Sequence, residues 1–552
     1  MNIKPLPKGV GFSANFTRAP VDKTALASFV KVKGKDAALK ILKTWHRPKP
    51  SLELVRESLL DFGNSTRPRI NHGEYFAILK QTLSEFAPSK KIIPLTLGAA
   101  YLHPDFPRRK SPGLPWIQSV GQRGRDFLDK QSVWTDPSAQ QKIRWTWDMI
   151  GHGRNITLPD CAAYNRVIAS KQEKTKIRPV WGYPVDVILE EARFFYPLLE
   201  YIKCTTKKDH SYGLGLENAC GGQSYLMDMF MKTHHDYTTA FVGDWSRFDS
   251  SIPAWLIRDV FNYMSDWFDF GHVLDSEGKI WPVNPDQSIN RYNKLVQYFI
   301  NTPIRLPNGE RFRKNHGIPS GSMFTNIMDT FINGIVTRYL TYHCTGRLPY
   351  GDVYYGDDSV IIVQKPFNVE NFSKLAFDTF GMTVNVDKSY VTDEITNLHW
   401  LGFYCNYGTP IRNNEFLYAS YIFPEHRVNN TLETATRCLG QLYSTLDPVQ
   451  AVVWYKMLLE VIEYGKLQMD ELVSYIRSDY RKSFKYLENL GWKPDDITVP
   501  TLSVGLFEHI PSVTPLPCKR KFTKRIWDLQ HILDRFPPEE DLPSEEQLEA
   551  PD

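Results

Sequence analysis

The stretch DVYYGDDSVIIV, residues 352–363, sets two adjacent acids between two apolar runs of β-forming residues. Only Gly356 eases the bend before Asp357 and Asp358. Runs of Val, Ile and Tyr on either side of a Gly-Asp pair read as a hairpin with buried strands. The two carboxylates then sit at its tip, side by side against their own repulsion. Gly-Asp is also ordinary turn chemistry, so the tip alone leaves two readings open, a plain turn or a place that holds cations.

The surrounding order bears on that choice. YTTAFVGD is a strand-like run ending at Asp244, and Asp249 follows five residues later. A helical stretch, PAWLIRDVFNYMSDWF, comes next with Pro253 near its first position. Then follow a loop-to-helix unit, GIPSGSMFTNIMDTFINGIVTRYL, the hairpin, a helix-like NVENFSKLAFDTF, and strand-like MTVNVDKSYV and LHWLGFYCN. This order predicts an antiparallel sheet backed by helices on one face, an α+β layer. A strand-end acid beside a hairpin-tip acid is the minimum that phosphoryl transfer asks of a protein. That chemistry needs cations to neutralise phosphate charge and align the attacking and leaving oxygens. Mg²⁺ takes only one or two carboxylates and fills its octahedron with water and phosphate. Asp244 and Asp357 are therefore the expected direct ligands, with Asp358 auxiliary.

At 552 residues the chain is long enough for several subdomains. Its 42% hydrophobic and 23% charged residues are ordinary for a soluble protein. The formal charge of +4 hides an asymmetry, because residues 536–552 hold seven acids and no Lys or Arg. The rest of the chain is basic, which suits a polyanionic partner or a solvated surface. Seven scattered cysteines without a CxxC pair exclude a zinc knuckle and suit a reducing compartment. No apolar run has the length of a membrane span, and MNIKPLPKGVGF lacks an apolar signal core. A soluble protein of the cytosol, or of a particle assembled there, is expected. PDFPRRKSPGLP, with four prolines, reads as loop, and DVILEEARFFYPLLEYI as a helix kinked or broken at Pro197. Residues 420–489 read as mostly helical and the acidic end as disordered.

Several stretches resemble the motifs of viral RNA-dependent RNA polymerases. DWSRFD, GIPSGSMFT and YYGDD look like motifs A, B and C, GMTVNVDKS like motif D, and HWLGFY like motif E. KTKIRPVWGYP resembles the basic motif F and KSPGLPW the motif G loop. RPVWGYP, SRFDSSIPAWLIRD and PSGSMFT look most like the polymerases of partitiviruses, small segmented double-stranded RNA viruses, with picobirnavirus polymerases next nearest. The resemblance implies an α+β right hand of fingers, palm and thumb, closed into a ring, with an antiparallel palm sheet. It divides the chain into an N-terminal segment that bridges fingers and thumb (1–90), fingers (91–235), palm with motif A (236–265), a fingers insertion (266–308), palm with motifs B to E (309–419), thumb (420–515), and a basic stretch with the acidic tail (516–552). It implies an RNA-directed RNA polymerase that replicates and transcribes a segmented double-stranded RNA genome by two-metal nucleotidyl transfer, using two Mg²⁺ ions for which Mn²⁺ can substitute. The implied partners are template and product RNA, NTPs and capsid protein, with no membrane. The implied locations are the virion interior and the host cytoplasm.

Roles carry over residue by residue. Asp249 falls where the family reads the ribose, since a carboxylate accepts from a 2′-hydroxyl that DNA lacks; a helix N-terminal acid is the plain alternative. Ser320, Thr325 and Asn333 join the ribose set, and Gly321 lends the loop its freedom beside the template. Many relatives carry Asn nine residues after the motif B serine. Here that position is Asp329, with Asn333 four later on the same helical face. A second acid near Asp249 repels it unless a proton or cation intervenes, so Asp329 and Asn333 both stand as candidates to complete the sensor. Lys176 and Arg178 are expected to grip the triphosphate, and Lys171 and Lys174 of the same cluster to contact RNA. Ser111 and Gly113 match the loop that touches the template. Lys388, on a strand-like stretch, is placed to protonate the departing pyrophosphate or is an exposed strand lysine. CKRKFTKR, from Cys518, is expected to meet RNA or pair with the acidic tail. Two alternatives are a reverse-transcriptase-like polymerase, against which Asp249, Ser320 and GDD speak, and a non-catalytic viral RNA-binding protein.

Overall fold

The computed structural model describes residues 3–64, 66–118, 127–205, 209–503, 508–523 and 528–537. The acids of the C-terminal tail, with Lys524 and Arg525, lie outside these. At the centre is a four-stranded antiparallel sheet in the order Gly351–Tyr355, Asp358–Gln364, Thr238–Val242, Tyr390–Thr392. Its two middle strands are apolar on both sides because both faces are covered. Phe241, Ile361 and Val363 pack toward the helices Thr325–Thr345 and Val369–Phe380. Ala240, Val360 and Ile362 pack with Leu226 and Met229 of the helix Gly222–Thr233. The single helical backing expected from the sequence is thus corrected to helices on both faces. The second cover, the helix Gly222–Thr233, immediately precedes the sheet strand Thr238–Val242 in the chain.

The fingers carry a five-stranded sheet in the order Ile3–Leu6, Arg311–Lys314, Pro303–Arg305, Cys161–Ile168, Lys176–Gly182. Four helices, Thr431–Ser444, Pro448–Gly465, Met469–Ser483 and Lys485–Leu490, form the thumb. The N-terminal helices Lys23–Lys33 and Lys35–Thr44 lie on it, burying Phe29 and Ile41 among Leu439, Trp454 and Met457. The chain then pairs Trp45–His46 with Ser170–Lys171 of the fingers. Arg47 completes the ring. Its Nη1 donates to the Val167 carbonyl at 2.8 Å, and its Nε and Nη2 donate to the Phe423 carbonyl at 2.9 and 2.7 Å. One guanidinium therefore joins the fingers to the start of the thumb.

Three local expectations change. The helix Val185–Cys204 runs unbroken through Pro197. Val187, Leu189, Phe194, Leu198 and Ile202 are buried along it, and that packing outweighs the one hydrogen bond a proline removes. MTVNVDKSYV is two short strands, Thr383–Val384 and Tyr390–Thr392, with a turn between them, so Lys388 is a turn residue. The basic stretch after Cys518 is anchored to the palm at Arg520. Its buried guanidinium donates to the Tyr212 carbonyl at 2.7 Å and lies 3.7 Å from the Asp209 carboxylate, while Phe522 enters the core behind the sheet.

A fully buried ion pair fastens the hairpin to the helix behind it. Arg338 Nε donates to Asp352 Oδ2 at 2.6 Å and its Nη2 to Oδ1 at 3.1 Å, with further bonds to Thr82 and Glu85. Tyr354 donates its hydroxyl to the same Asp352 oxygen at 2.8 Å. Burial opposes the guanidinium charge, but Asp352 and Glu85 outweigh it and hold its pKa above the ordinary value. Removing one partner leaves a buried, uncompensated charge. Arg338→Ala should cost about 3–5 kcal/mol of stability, read as a fall in the denaturant midpoint; an unchanged midpoint would dismiss the ion pair as a structural fastener.

Candidate active site

The acids meet because of strand register. Tyr355 pairs with Asp358 around the two-residue turn Gly356-Asp357, where Gly356 takes a positive φ of 59°. On the neighbouring strand Ile361 pairs with Phe241. Continuing that antiparallel register by three residues brings Asp358 level with Asp244, just past the end of its strand. Asp357 and Asp358 both feel the Asp244 charge. Lost hydration in the cleft, then Asp244, raises the Asp357 carboxyl above its usual range, with Arg178 opposing. Burial, then Asp357 and Asp244, pushes Asp358 up to about 7. Among the described residues no three His, Cys, Asp or Glu side chains converge as a ready-made metal cage. The donor set is nevertheless hard oxygen from paired acids, which suits an ion that draws its remaining ligands from water and phosphate.

Backbone bonds hold these acids in place. Asn333, fully buried, donates from Nδ2 to the carbonyls of Gly356 (3.1 Å) and Asp358 (3.3 Å). Its Oδ1 accepts from Trp245 Nε1 at 3.1 Å and Thr337 Oγ1 at 3.0 Å. All its polar atoms are engaged, so Asn333 fastens the turn to motif A through Trp245. Thr330 Oγ1 accepts from the Gly356 amide at 2.8 Å. The Asp244 amide donates to Ser389 Oγ at 2.9 Å and its carbonyl accepts from the Asn385 amide at 2.8 Å. These bonds set the turn that carries Lys388 directly against Asp244.

The cationic wall comes from the fingers. Arg178 and Lys176 are exposed on the strand Lys176–Gly182, and Arg178 lowers the pKa of Asp249, Asp357 and Asp358. Lost hydration, then Lys388, Arg178 and Lys174, lowers Lys176, with Asp244 opposing. Lys388 and Lys176 therefore face one space with Asp244. Lys171, at the end of the strand Ser170–Lys171, and Lys174, in the loop after it, are exposed just before that strand.

Motif B is bonded to the same wall. Ser320 Oγ donates to the Pro179 carbonyl at 3.1 Å, and Thr325 Oγ1 to the carbonyls of Pro319 (2.6 Å) and Ser322 (3.0 Å). A Cβ on Gly321 would run into the Trp181 carbonyl oxygen. Glu191, a buried acid with no cation beside it among the described residues, accepts from Ser322 Oγ and, at 3.1 Å, from the Met323 amide; burial pushes it up to about 8. Lys314, fully buried, donates to the carbonyls of Phe299, Ile300 and Gly317 and steadies the loop whose Ile318 amide donates to the Asp249 carbonyl at 2.7 Å. Sequence reading passed over Glu191 and Lys314. The Glu-Glu pair inside an apolar helix was a usable signal for Glu191; RFRK gave none for Lys314. Between the two motif A acids Arg247 takes a positive φ of 53°, a strained turn that swings Asp249 onto the short helix Phe248–Ser251. Gly113 lies against the end of the same fingers strand, and its amide donates to Ser111 Oγ at 3.3 Å. Gly113 has φ 70°, and a Cβ there would meet the Tyr183 carbonyl at 2.7 Å.

An acid-tipped hairpin in an antiparallel palm, ringed by fingers and thumb, defines a right-handed template-directed polymerase fold. The chain belongs to the viral RNA-dependent RNA polymerase family, whose profile matches residues 80–412. It is similar to the RNA-directed RNA polymerase of Atkinsonella hypoxylon virus (isolate 2H), with 26% identity over 66% of this chain and 59% of that protein. It is also similar to that of White clover cryptic virus 1, with 23% identity over 62% and 56%. The match thus spans less than two thirds of the length of either relative. In fold it resembles the Sicinivirus 3Dpol RNA-dependent RNA polymerase (TM-score 0.61, 15% identity, 85% of this chain and 96% of that one). It likewise resembles the polymerase of a human picobirnavirus (TM-score 0.57, 13% identity, 88% and 92%).

Gly321→Ala should separate the motif B loop from Trp181 and cost about 1–3 kcal/mol through overpacking. Thermal unfolding checks this, and an unshifted Tm would show that the loop relaxes freely.

Proposed function

We propose that the chain is an RNA-directed RNA polymerase that copies a viral, segmented double-stranded RNA genome, with Asp244 and Asp357 as principal ligands of two Mg²⁺ ions and Asp358 in support. One observation carries this reading: three acids from two adjacent strands share a cleft with Arg178 and Lys176 of the fingers. When bound, the ions supply charge neutralisation and alignment of the reacting oxygens. The protein's own groups do the rest. Arg178 and Lys176 hold the triphosphate of the incoming NTP against the acids. Asp249 accepts from its 2′-hydroxyl. Lys388 offers its Nζ proton to the leaving pyrophosphate. Ser111, Gly113, Lys171 and Lys174 border the template path, and Gly321 lets the loop follow it. Capsid protein is the proposed partner in the particle, with action in the virion interior and host cytoplasm.

The primary test is extension of an RNA primer on an RNA template with NTPs and Mg²⁺. Asp357→Ala should abolish incorporation while RNA affinity and Tm stay near the parent's; normal synthesis by this variant would refute the assignment. Cation binding has its own signature. Asp358 is held near pH 7, above its unfolded value, so at or below neutrality it carries a proton that an incoming cation must displace. Mg²⁺ or Mn²⁺ affinity measured by calorimetry should therefore weaken as pH falls through 7, with proton release on binding. Affinity independent of pH, with no proton released, would remove Asp358 from the cation site.

A further inference from the structure

The strands His399–Trp400 and Phe403–Asn406 form a tight hairpin that turns through Leu401 and Gly402, both at positive φ, 48° and 86°. Gly402 takes this conformation freely, with open space around it. Leu401 does not. A bulky residue at positive φ persists only where its surroundings impose it. Here the restraint comes from residues 216–223, which lead into the helix Gly222–Thr233 on the second face of the sheet. Asn218, 1% exposed, donates from Nδ2 to the carbonyls of Trp400 and Leu401, each at 3.3 Å. Gln223, fully buried, donates from Nε2 to Asn218 Oδ1 at 2.8 Å and to the Trp400 and Phe403 carbonyls at 3.4 Å. Trp400 Nε1 donates to the Leu216 carbonyl at 3.0 Å. The turn is thus gripped by its carbonyls. A trans peptide points its carbonyl and its amide in opposite directions. With the Trp400 carbonyl drawn toward Asn218 and Gln223, the Leu401 amide of the same peptide points away from them. There it donates to the Asp358 carboxylate. The strand Asp358–Gln364 packs beside His399–Trp400, and Asn333 holds the Asp358 carbonyl at 3.3 Å.

We propose that Asn218 is a positioning residue for the cation site: by fixing the Trp400 and Leu401 carbonyls it aims the Leu401 amide at Asp358, and so keeps that carboxylate turned toward Asp244 and Asp357. The inference rests on the polymerase reading above, in which these acids hold the ions. Asn218 touches neither ion nor substrate and acts through the turn. A backbone amide suits the task, because it orients a carboxylate without bringing a charge that competes with a cation. Without Asn218 the strained Leu401 peptide rotates to a relaxed conformation, and its amide leaves Asp358. Partners that orient a metal ligand set the affinity of the site, and losing one weakens binding by about ten- to a hundredfold.

The experiment titrates the full chain with Mn²⁺ and follows free ion by electron paramagnetic resonance, so the readout needs no activity. Asn218→Asp removes the Nδ2 donor at constant size, and Asn218→Ala removes the whole amide. Each should weaken Mn²⁺ binding about tenfold. In primer extension each should raise the Mg²⁺ concentration at half-maximal rate by a similar factor, while saturating Mg²⁺ restores the rate and the KM for NTP stays near the parent's. Met457→Ala, a cavity in the thumb core, lowers Tm without reaching the turn and should keep the parent's Mn²⁺ affinity. Unchanged Mn²⁺ affinity in folded Asn218→Asp overturns the inference. An equal loss in Met457→Ala also overturns it, since general loosening would then explain the effect. If neither Asn218 variant folds, Gln223→Ala decides: it removes the second donor to the Trp400 carbonyl and should weaken Mn²⁺ binding in the same direction, and no change overturns the inference. A parent that binds no Mn²⁺ and extends no RNA would instead overturn the polymerase reading, and this inference with it.

Discussion

Asp244, Asp357 and Asp358 repel one another, and the palm is arranged to keep them together all the same. Like charges a few ångströms apart in a partly dry cleft push strongly, and side-chain pairing would cancel the charge the site needs. The restraint is applied to the backbone instead. Asn333 and Thr330 hold the hairpin tip by its peptide groups, and Ser389 and Asn385 hold Asp244 by both of its own. Their positions are fixed without a cationic side chain of the palm bonded to the carboxylates. The small cavity of about 10 Å³ behind Asp244, lined by Trp245, Thr337 and Ser359, shows how closely the remaining space is filled.

A charged floor is useful only if the opposing wall stays in place. That wall is one edge strand of the fingers, and it is joined to the palm through motif B. Ser320 bonds to Pro179, and Gly321 sits against Trp181 with no room for a side chain. Glu191 and Lys314 pin the two ends of that loop, and Ser320 and Gly321 between them are held to the fingers strand. The ring through Arg47 then keeps the fingers from swinging off the thumb.

Legibility from the sequence tracked how local each cause was. The hairpin could be read because continuous apolar β-forming runs on either side of Gly356 act over a dozen positions. The helices on either side of motif B and the thumb helices were readable for the same reason. Pro197 was misread because propensity weighs one missing hydrogen bond, whereas the buried face of that helix decides the outcome. Arg520 looked like part of an exposed basic run, since nothing within ten residues of it hints at a pocket formed by residues 209–212.

Asp244, Asp249, Asp357 and Asp358 were visible as candidates because acids interrupting apolar strands are costly and so stand out. Their chemical type, their spacing and the motif likeness belong to the sequence alone. That Asp329 rather than Asn333 stands beside Asp249 was decided only by the fold. The two lie one helical turn apart on the same face, so a shift of the helix along its axis by about 6 Å would exchange them. The packing of that helix against the hairpin fixes its axial position, through contacts such as Arg338 with Asp352. Such contacts join residues that the pattern of the chain does not pair in advance.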